Sequence, residues 1–163
     1  MMNDKIKSGL LSLSYGLYVV TVTDGIRKNA MVASWVSQVS FSPPRIMVAI
    51  KKVRFAHKIL TAAAEKDAVG FGLMVVKKGN ENELSRIKVE NQDVIFSENN
   101  VTTGKSGALL FTDYLCAFDL KLVETLDAGD HTIFIGEVLD VLITDDGKPS
   151  NTSDYHKVYI GDI

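Results

Sequence analysis

Runs of strand-forming residues recur along the whole chain, and they do not alternate regularly with helical patterns. Only residues 54–66, residues 80–91 and the N-terminus have helical spacing; at the N-terminus the apolar residues share one side, namely Ile6, Leu10, Leu11 and Leu13. A doubly wound parallel sheet needs a helix after nearly every strand, so this order predicts a mainly β fold, most simply an antiparallel β-barrel with short helices over its ends or facing a second subunit. The predicted strands are 14–23, the segment 29–44 up to Pro43-Pro44, 45–52, 68–76, 114–126 and 131–144, with a loop over 99–107.

Composition predicts a single domain over residues 1–163 and limits its partners. The chain has 46% hydrophobic residues, enough for one sizeable core, and balances 18 basic against 20 acidic residues. This balance gives no broad field for nucleic acid or an anionic membrane, and no apolar run is long enough to span one. A single cysteine, Cys116, and the lack of a signal-type start favour the cytoplasm.

Metal and dinucleotide motifs do not occur. One cysteine and three scattered histidines have no metal-ligand spacing, so no metal site is predicted. Gly70 and Gly72 lack the third glycine and the following helix of a dinucleotide fingerprint, and they indicate a bend or a close backbone approach within a strand.

The segment "NAMVASWVSQVSFSPP" (29–44) carries small and hydroxyl side chains where a buried strand would have Val or Ile. Strict alternation would put Ala33, Trp35 and Ser37 on one face and Ser34 and Val36 on the other, and neither face is purely apolar. One interpretation is an exposed strand whose hydroxyls face water. The other is a surface where a planar ligand approaches backbone N–H groups while hydroxyls satisfy its polar edge.

Two further stretches also have two interpretations each. Lys52 and Arg54 follow the next predicted strand near a helix start, where they could bind a phosphate or form a solvated surface pair. Gly129, Asp130 and His131 could be a polar turn that opens a strand, or part of a binding site.

Together these stretches resemble a known family, the flavin reductase-like proteins with an FMN-binding split β-barrel. The segment 29–44 is similar to the flavin-binding strand of these reductases, and especially of the reductase modules in diflavin flavoproteins. A second block, "DAGDHTIFIGEV" (127–138), resembles the family's "GDH" segment and the "GEV" strand after it, and "YGLYVVT" (15–21) extends the similarity over nearly the whole chain.

The resemblance implies a flavin site in the first block. The residues it implies for the wall of the flavin ring and ribityl chain are Asn29, Ala33, Ser34, Trp35, Val36 and Ser37, although the Trp35 indole could instead pack in the core or at a dimer interface. In the segment "KKVRFAH", Ala56 stands where many relatives have Ser or Thr, so a hydroxyl contact is lost. Lys52, Arg54 and the N–H groups at the helix start are then expected to hold the phosphate, with His57 nearby or exposed on the helix.

The resemblance also implies an activity. His131 would lie beside the flavin and position NAD(P)H, while hydride passes from nicotinamide C4 to flavin N5. The expected protein is a homodimeric NAD(P)H:FMN oxidoreductase that passes electrons to a partner or acceptor, with FMN favoured over FAD. The alternatives are a flavoredoxin-like electron carrier with fixed FMN and little NAD(P)H activity, and a flavin-binding protein without turnover. The residues do not distinguish NADH from NADPH as the reductant, or FMN as a prosthetic group from FMN as a diffusible substrate. They also do not identify the electron acceptor.

Overall fold

The computed structural model of the chain describes residues 3–65, 70–88, 92–98 and 100–154. Its strands are β1 (Tyr18–Thr23), β2 (Lys28–Ala33), β3 (Val36–Phe41), β4 (Pro44–Lys51), β5 (Gly70–Val75), β6 (Val101–Thr103), β7 (Leu109–Phe111), β8 (Cys116–Asp127) and β9 (His131–Ile143). Its helices are α1 (Asp4–Leu10), α2 (Phe55–Ala64), α3 (Leu84–Ile87) and α4 (Gln92–Glu98), with a 3-10 turn at Glu81–Glu83 before α3. Within these ranges, no helix has the length and the apolar content that crossing a membrane requires.

Seven of the strands form one antiparallel sheet that is rolled into a split barrel. The strand order is β2-β1-β5-β8-β9-β4-β3, so β2 and β3 lie at opposite edges. Yet only Ser34 and Trp35 separate them along the chain, and three Cα steps span at most about 11 Å. The sheet must therefore curve until its two edges approach each other, which confirms the predicted antiparallel split β-barrel.

The prediction of one strand through the segment 29–44 is wrong, because the chain turns sharply at Trp35. The Val36 N–H donates to the Ser34 carbonyl at 3.1 Å, which closes a three-residue turn centred on Trp35. The alternation predicted from Ala33 therefore does not continue across the turn. Ala33 is buried in the core, whereas the Trp35 side chain is exposed. We call Ser34 and Trp35 the barrel corner.

Other local predictions need smaller corrections. Residues 101–103, predicted as loop, form β6 and pair with β7. The helix predicted over 80–91 is the 3-10 turn followed by α3, and α4 was not predicted. The strand predicted from residue 114 begins at Cys116 and runs to Asp127. Predicted positions 66, 68–69, 89–91 and 99 lie outside the described residues.

Two apolar clusters lie on opposite faces of the sheet. The inner cluster fills the barrel and is covered by α2; it contains Val20, Val48, Phe71, Leu120 and Phe134 from the strands and Ala56, Ile59, Leu60 and Ala63 from α2. The outer cluster joins alternate residues of β1, β2 and β5 to α3, α4 and β7, and it includes Val19, Val32, Met74, Leu84 and Phe111. Because strand side chains alternate between faces, both faces of this part of the sheet are buried.

Glycine is required where elements approach closely. A Cβ on Gly72 would meet the Leu109 carbonyl oxygen at 2.8 Å, and the Thr21 hydroxyl, which donates to that same carbonyl, also lies against it. The close backbone approach predicted for this strand is therefore present.

Candidate functional site

Three chain segments meet at one end of the barrel. The Ala49 N–H of β4 donates to the Trp35 carbonyl at 3.0 Å, which places the barrel corner beside the end of β4. Lys51 is directly opposite His131 in the β4–β9 pairing, and the Lys52 N–H donates to the Asp130 carbonyl at 3.0 Å. The corner, the β4–α2 connection and the β8–β9 turn therefore form one continuous surface.

The N-terminus of α2 offers donors for an anion at this surface. Arg54 is the N-cap residue, and its side chain makes no capping hydrogen bond to the helix. The first turn also contains no acidic residue. The leading N–H groups of a helix have no partner within the helix, and its dipole favours negative charge there. With Lys52 and Arg54 beside them, these donors fit a phosphate ester.

Asp127 forms an ion pair with Lys52. Its Oδ2 atom accepts a hydrogen bond from Lys52 Nζ at 2.7 Å, and its Oδ1 atom accepts the Gly129 N–H at 2.9 Å. The Lys52 hydrogen bond, the Gly129 hydrogen bond and the lysine charge lower the pKa of Asp127, so this carboxyl is ionised at neutral pH. Gly129 has a φ of 96°, a left-handed conformation that favours glycine and makes this turn possible.

His131 lies between a carboxylate and an indole. Its Nδ1 atom is 2.7 Å from Asp130 Oδ1, and since an ionised carboxylate only accepts hydrogen bonds, Nδ1 carries the proton. The hydrogen bond to His131 is the largest effect that lowers the pKa of Asp130. The other contact is with Trp35, whose ring centroid is 4.6 Å from that of His131 with an angle of 32° between the planes.

Trp35 extends this ring contact towards the N-terminal segment. Its indole is 45% exposed, so it is not a core residue. The Tyr15 ring lies at a centroid distance of 6.2 Å from the indole. Trp35 thus contacts the rings of both Tyr15 and His131, and its exposed surface is one that a planar ligand can pack against.

His57 joins α2 to β9 beneath this surface. Its Nε2 atom is 2.8 Å from Thr132 Oγ1, and its ring and that of Phe134 are in a T-shaped arrangement at a centroid distance of 5.5 Å. Burial lowers the pKa of His57, and the positive charge of Lys52 adds to this effect. The imidazole is therefore neutral at pH 7, and its contacts orient the first turn of α2.

The predicted site residues divide into two groups. The structure brings six of them to the described surface: Ser34, Trp35, Lys52, Arg54, His57 and His131. Of the rest, Ala33 and Ala56 have side chains in the inner cluster, so Ala56 can offer a ligand only its backbone N–H. Asn29 is buried about 13 Å back along β2, Val36 packs partly against the inner cluster, and the exposed Ser37 hydroxyl donates to the Gln38 carbonyl.

Sequence reasoning did not assign roles to Asp127, Asp130, Thr132 or Tyr15. The two aspartates lie in the "DAGDH" block, so that block was the available signal. Their partners were not visible, because 75 residues separate Lys52 from Asp127 and His57 from Thr132. Within the described ranges, no group of three His, Cys, Asp or Glu side chains is placed to hold a metal ion.

Comparison with known proteins gives a consistent result. The family model described as "Flavin reductase like domain" matches residues 10–159. The high molecular weight rubredoxin of Moorella thermoacetica is 33% identical over 158 residues, which cover 93% of this chain and 66% of that longer protein. The ferric-chelate reductase (NAD(P)H) of Archaeoglobus fulgidus is 31% identical over 148 residues, which cover 88% of this chain and 85% of the relative. The NADH:FAD oxidoreductase of Streptomyces globisporus C-1027 superposes with a TM-score of 0.76 at 26% identity, covering 91% of this chain and 89% of that one.

Proposed function

The chain belongs to the flavin reductase-like domain family, and on that premise we propose that it is an oxidoreductase that binds FMN and reduces it with NADH or NADPH. The observation that carries the proposal is the N-terminus of α2, which has no acidic residue in its first turn and has Lys52 and Arg54 beside it, at the same barrel end as His131. A flavin phosphate is an anion of the kind that these donors fit.

Each part of the surface has a role in this proposal. Lys52, Arg54 and the first N–H groups of α2, including that of Ala56, hold the phosphate. The ring lies along the barrel corner, with the segment from Ala33 to Ser37 at its polar edge. We assign the Asn29 side chain, farther back on β2, to the far end of the flavin-binding wall.

His131 positions the nicotinamide. When bound, the flavin supplies the redox chemistry, accepting hydride at its N5 atom. The chain supplies orientation: Asp130 fixes the Nδ1 proton of His131, and Trp35 packs on the imidazole face, so the ring presents one defined edge to a ligand. No acid or base from the chain is needed for hydride transfer.

A homodimer belongs to the same proposal. Large apolar side chains are exposed along the N-terminal segment, on β3 and at the end of β9, namely Ile6, Leu10, Leu11, Leu13, Val39, Phe41 and Ile143. Helix α1 buries none of its residues. Exposed apolar surface of this extent is typical of an interface. We also propose that a redox protein receives the electrons. The single cysteine favours a cytoplasmic location, which belongs to the same proposal.

Anaerobic mixing tests the activity. Purified protein is mixed with FMN, FAD or riboflavin and with NADH or NADPH, and flavin bleaching is followed near 450 nm, beside a control without protein. We expect bleaching to be fastest with FMN and at least one nicotinamide. Tight FMN binding with bleaching no faster than the control would move the assignment to the electron carrier, which the relatives do not favour. Failure to bind any flavin would refute the proposal as a whole.

A further inference from the structure

Asp127 is placed to compete with an anion for Lys52. The Lys52 Nζ to Asp127 Oδ2 distance of 2.7 Å is that of a direct charge-assisted hydrogen bond. The Lys52 backbone is held to the same turn by the N–H donated to Asp130, so the two side chains remain neighbours. The Asp127 side chain is 73% exposed and can therefore release the lysine at low cost.

Charges of both signs lie at this surface. Lys51, Lys52 and Arg54 bring three positive charges to the β4–α2 connection, and Asp127 and Asp130 bring two negative charges across from it. The phosphate monoester of FMN carries a charge of about −1.5 to −2 at pH 7.

We propose that Asp127 is a counter-charge that weakens the binding of FMN to this protein and speeds its release. The inference rests on the proposed function, because it takes Lys52 as a phosphate ligand. The Asp127 carboxylate pairs with Lys52, has to share it when a phosphate arrives, and repels the phosphate at short range. The Asp127 charge acts on the phosphate, which riboflavin lacks, so it lowers the affinity for FMN relative to the affinity for riboflavin.

The variant Asp127→Asn isolates the charge. An asparagine has the same shape, and its amide oxygen can still accept the Gly129 N–H, so the turn is retained. The matched control is Asp140→Asn. Asp140 accepts from Lys105 Nζ at 2.8 Å and from the Val141 N–H at 2.9 Å, and it stands near the opposite end of the β8–β9 hairpin. Both variants therefore change the net charge equally and remove one exposed ion pair each.

The test measures flavin fluorescence quenching on the full chain. We expect Asp127→Asn to lower the dissociation constant of FMN about threefold to tenfold, the effect of removing one like charge a few ångströms away in a solvated site. Riboflavin affinity should stay within twofold, and Asp140→Asn should match the wild type for both ligands. After rapid dilution, FMN should leave Asp127→Asn several-fold more slowly than it leaves the wild type.

Two results would overturn the inference, and they differ from failure of the proposed function. Unchanged FMN affinity in Asp127→Asn would show that the carboxylate does not oppose the phosphate. Weaker FMN affinity would show that it orients Lys52 instead. In both cases wild-type protein still prefers FMN to riboflavin, so the phosphate site stands. Equal wild-type affinity for the two flavins would instead remove the phosphate site, and the inference with it.

Discussion

Replacing Lys52 and Arg54 together by alanine should weaken FMN binding far more than riboflavin binding. The two ligands differ only in the phosphate, so the ratio of their dissociation constants reports the phosphate site and cancels effects on the ring. The Arg54 side chain makes no capping hydrogen bond to α2, so the substitution removes no side-chain cap from that helix. Thermal unfolding of the variant should confirm that the fold is retained.

The magnitude follows from the contacts of the two side chains. A hydrogen bond to a charged group contributes about 1.5–3 kcal/mol. Lys52 must give up part of its exposed ion pair with Asp127, which offsets up to about 1 kcal/mol. Two such contacts less this offset give an expected loss of about 2–5 kcal/mol, a roughly thirtyfold to several-thousandfold rise in the dissociation constant of FMN. Riboflavin should change by less than about twofold.

Fluorescence titration of both flavins measures the ratio, and a second double variant controls for net charge. The double variant Lys105→Ala and Arg86→Ala also removes one lysine and one arginine charge. Lys105 pairs with Asp140 and Arg86 pairs with Glu83, both in exposed ion pairs on other elements of the chain. This control should bind FMN as the wild type does. Equal losses of FMN and riboflavin in the Lys52/Arg54 variant, or equal FMN losses in both double variants, would refute the placement of the phosphate.

Three further predictions follow from the same surface. His131→Ala should bind FMN with nearly unchanged affinity but reduce it more slowly or require more NAD(P)H, because ring orientation is lost; stopped-flow bleaching at the wild-type rate would leave the turn with no role in nicotinamide binding. The folded chain should lose stability as the pH falls below about 6.5, because burial lowers the pKa of His57 in the fold and the unfolded chain therefore binds a proton at this histidine first. The urea midpoints measured at pH 7.5 and at pH 5.5 should differ less for His57→Gln than for the wild type. Equal differences for the two proteins would contradict this prediction. Sedimentation at micromolar concentration should show a dimer with two flavins, and a monomer with full FMN occupancy would rule out a site that depends on the interface.

Local sequence was sufficient for most of the long strands and for α2. β4, β9 and α2 lie close to their predicted positions, because periodicity and turn residues act over a few neighbours. The lack of strand-helix alternation was also enough to predict an antiparallel barrel. Short elements such as β6 and α4 were missed, since three to seven residues carry too little periodicity to outweigh their polar neighbours.

The site depended on tertiary structure to a greater degree. The sequence marked 29–44 as unusual, and Lys52, Arg54 and the "GDH" turn as candidates, but each had an ordinary surface interpretation. Only the curvature of the sheet turns the chain at Trp35 and carries the indole onto His131, 96 positions later in the sequence. In the same way, the β4–β9 register places Lys52 at the turn that holds Asp127. Side chains so far apart in sequence have no local signal for their contact, because their distance is determined by strand order, register and twist, which are properties of the whole barrel.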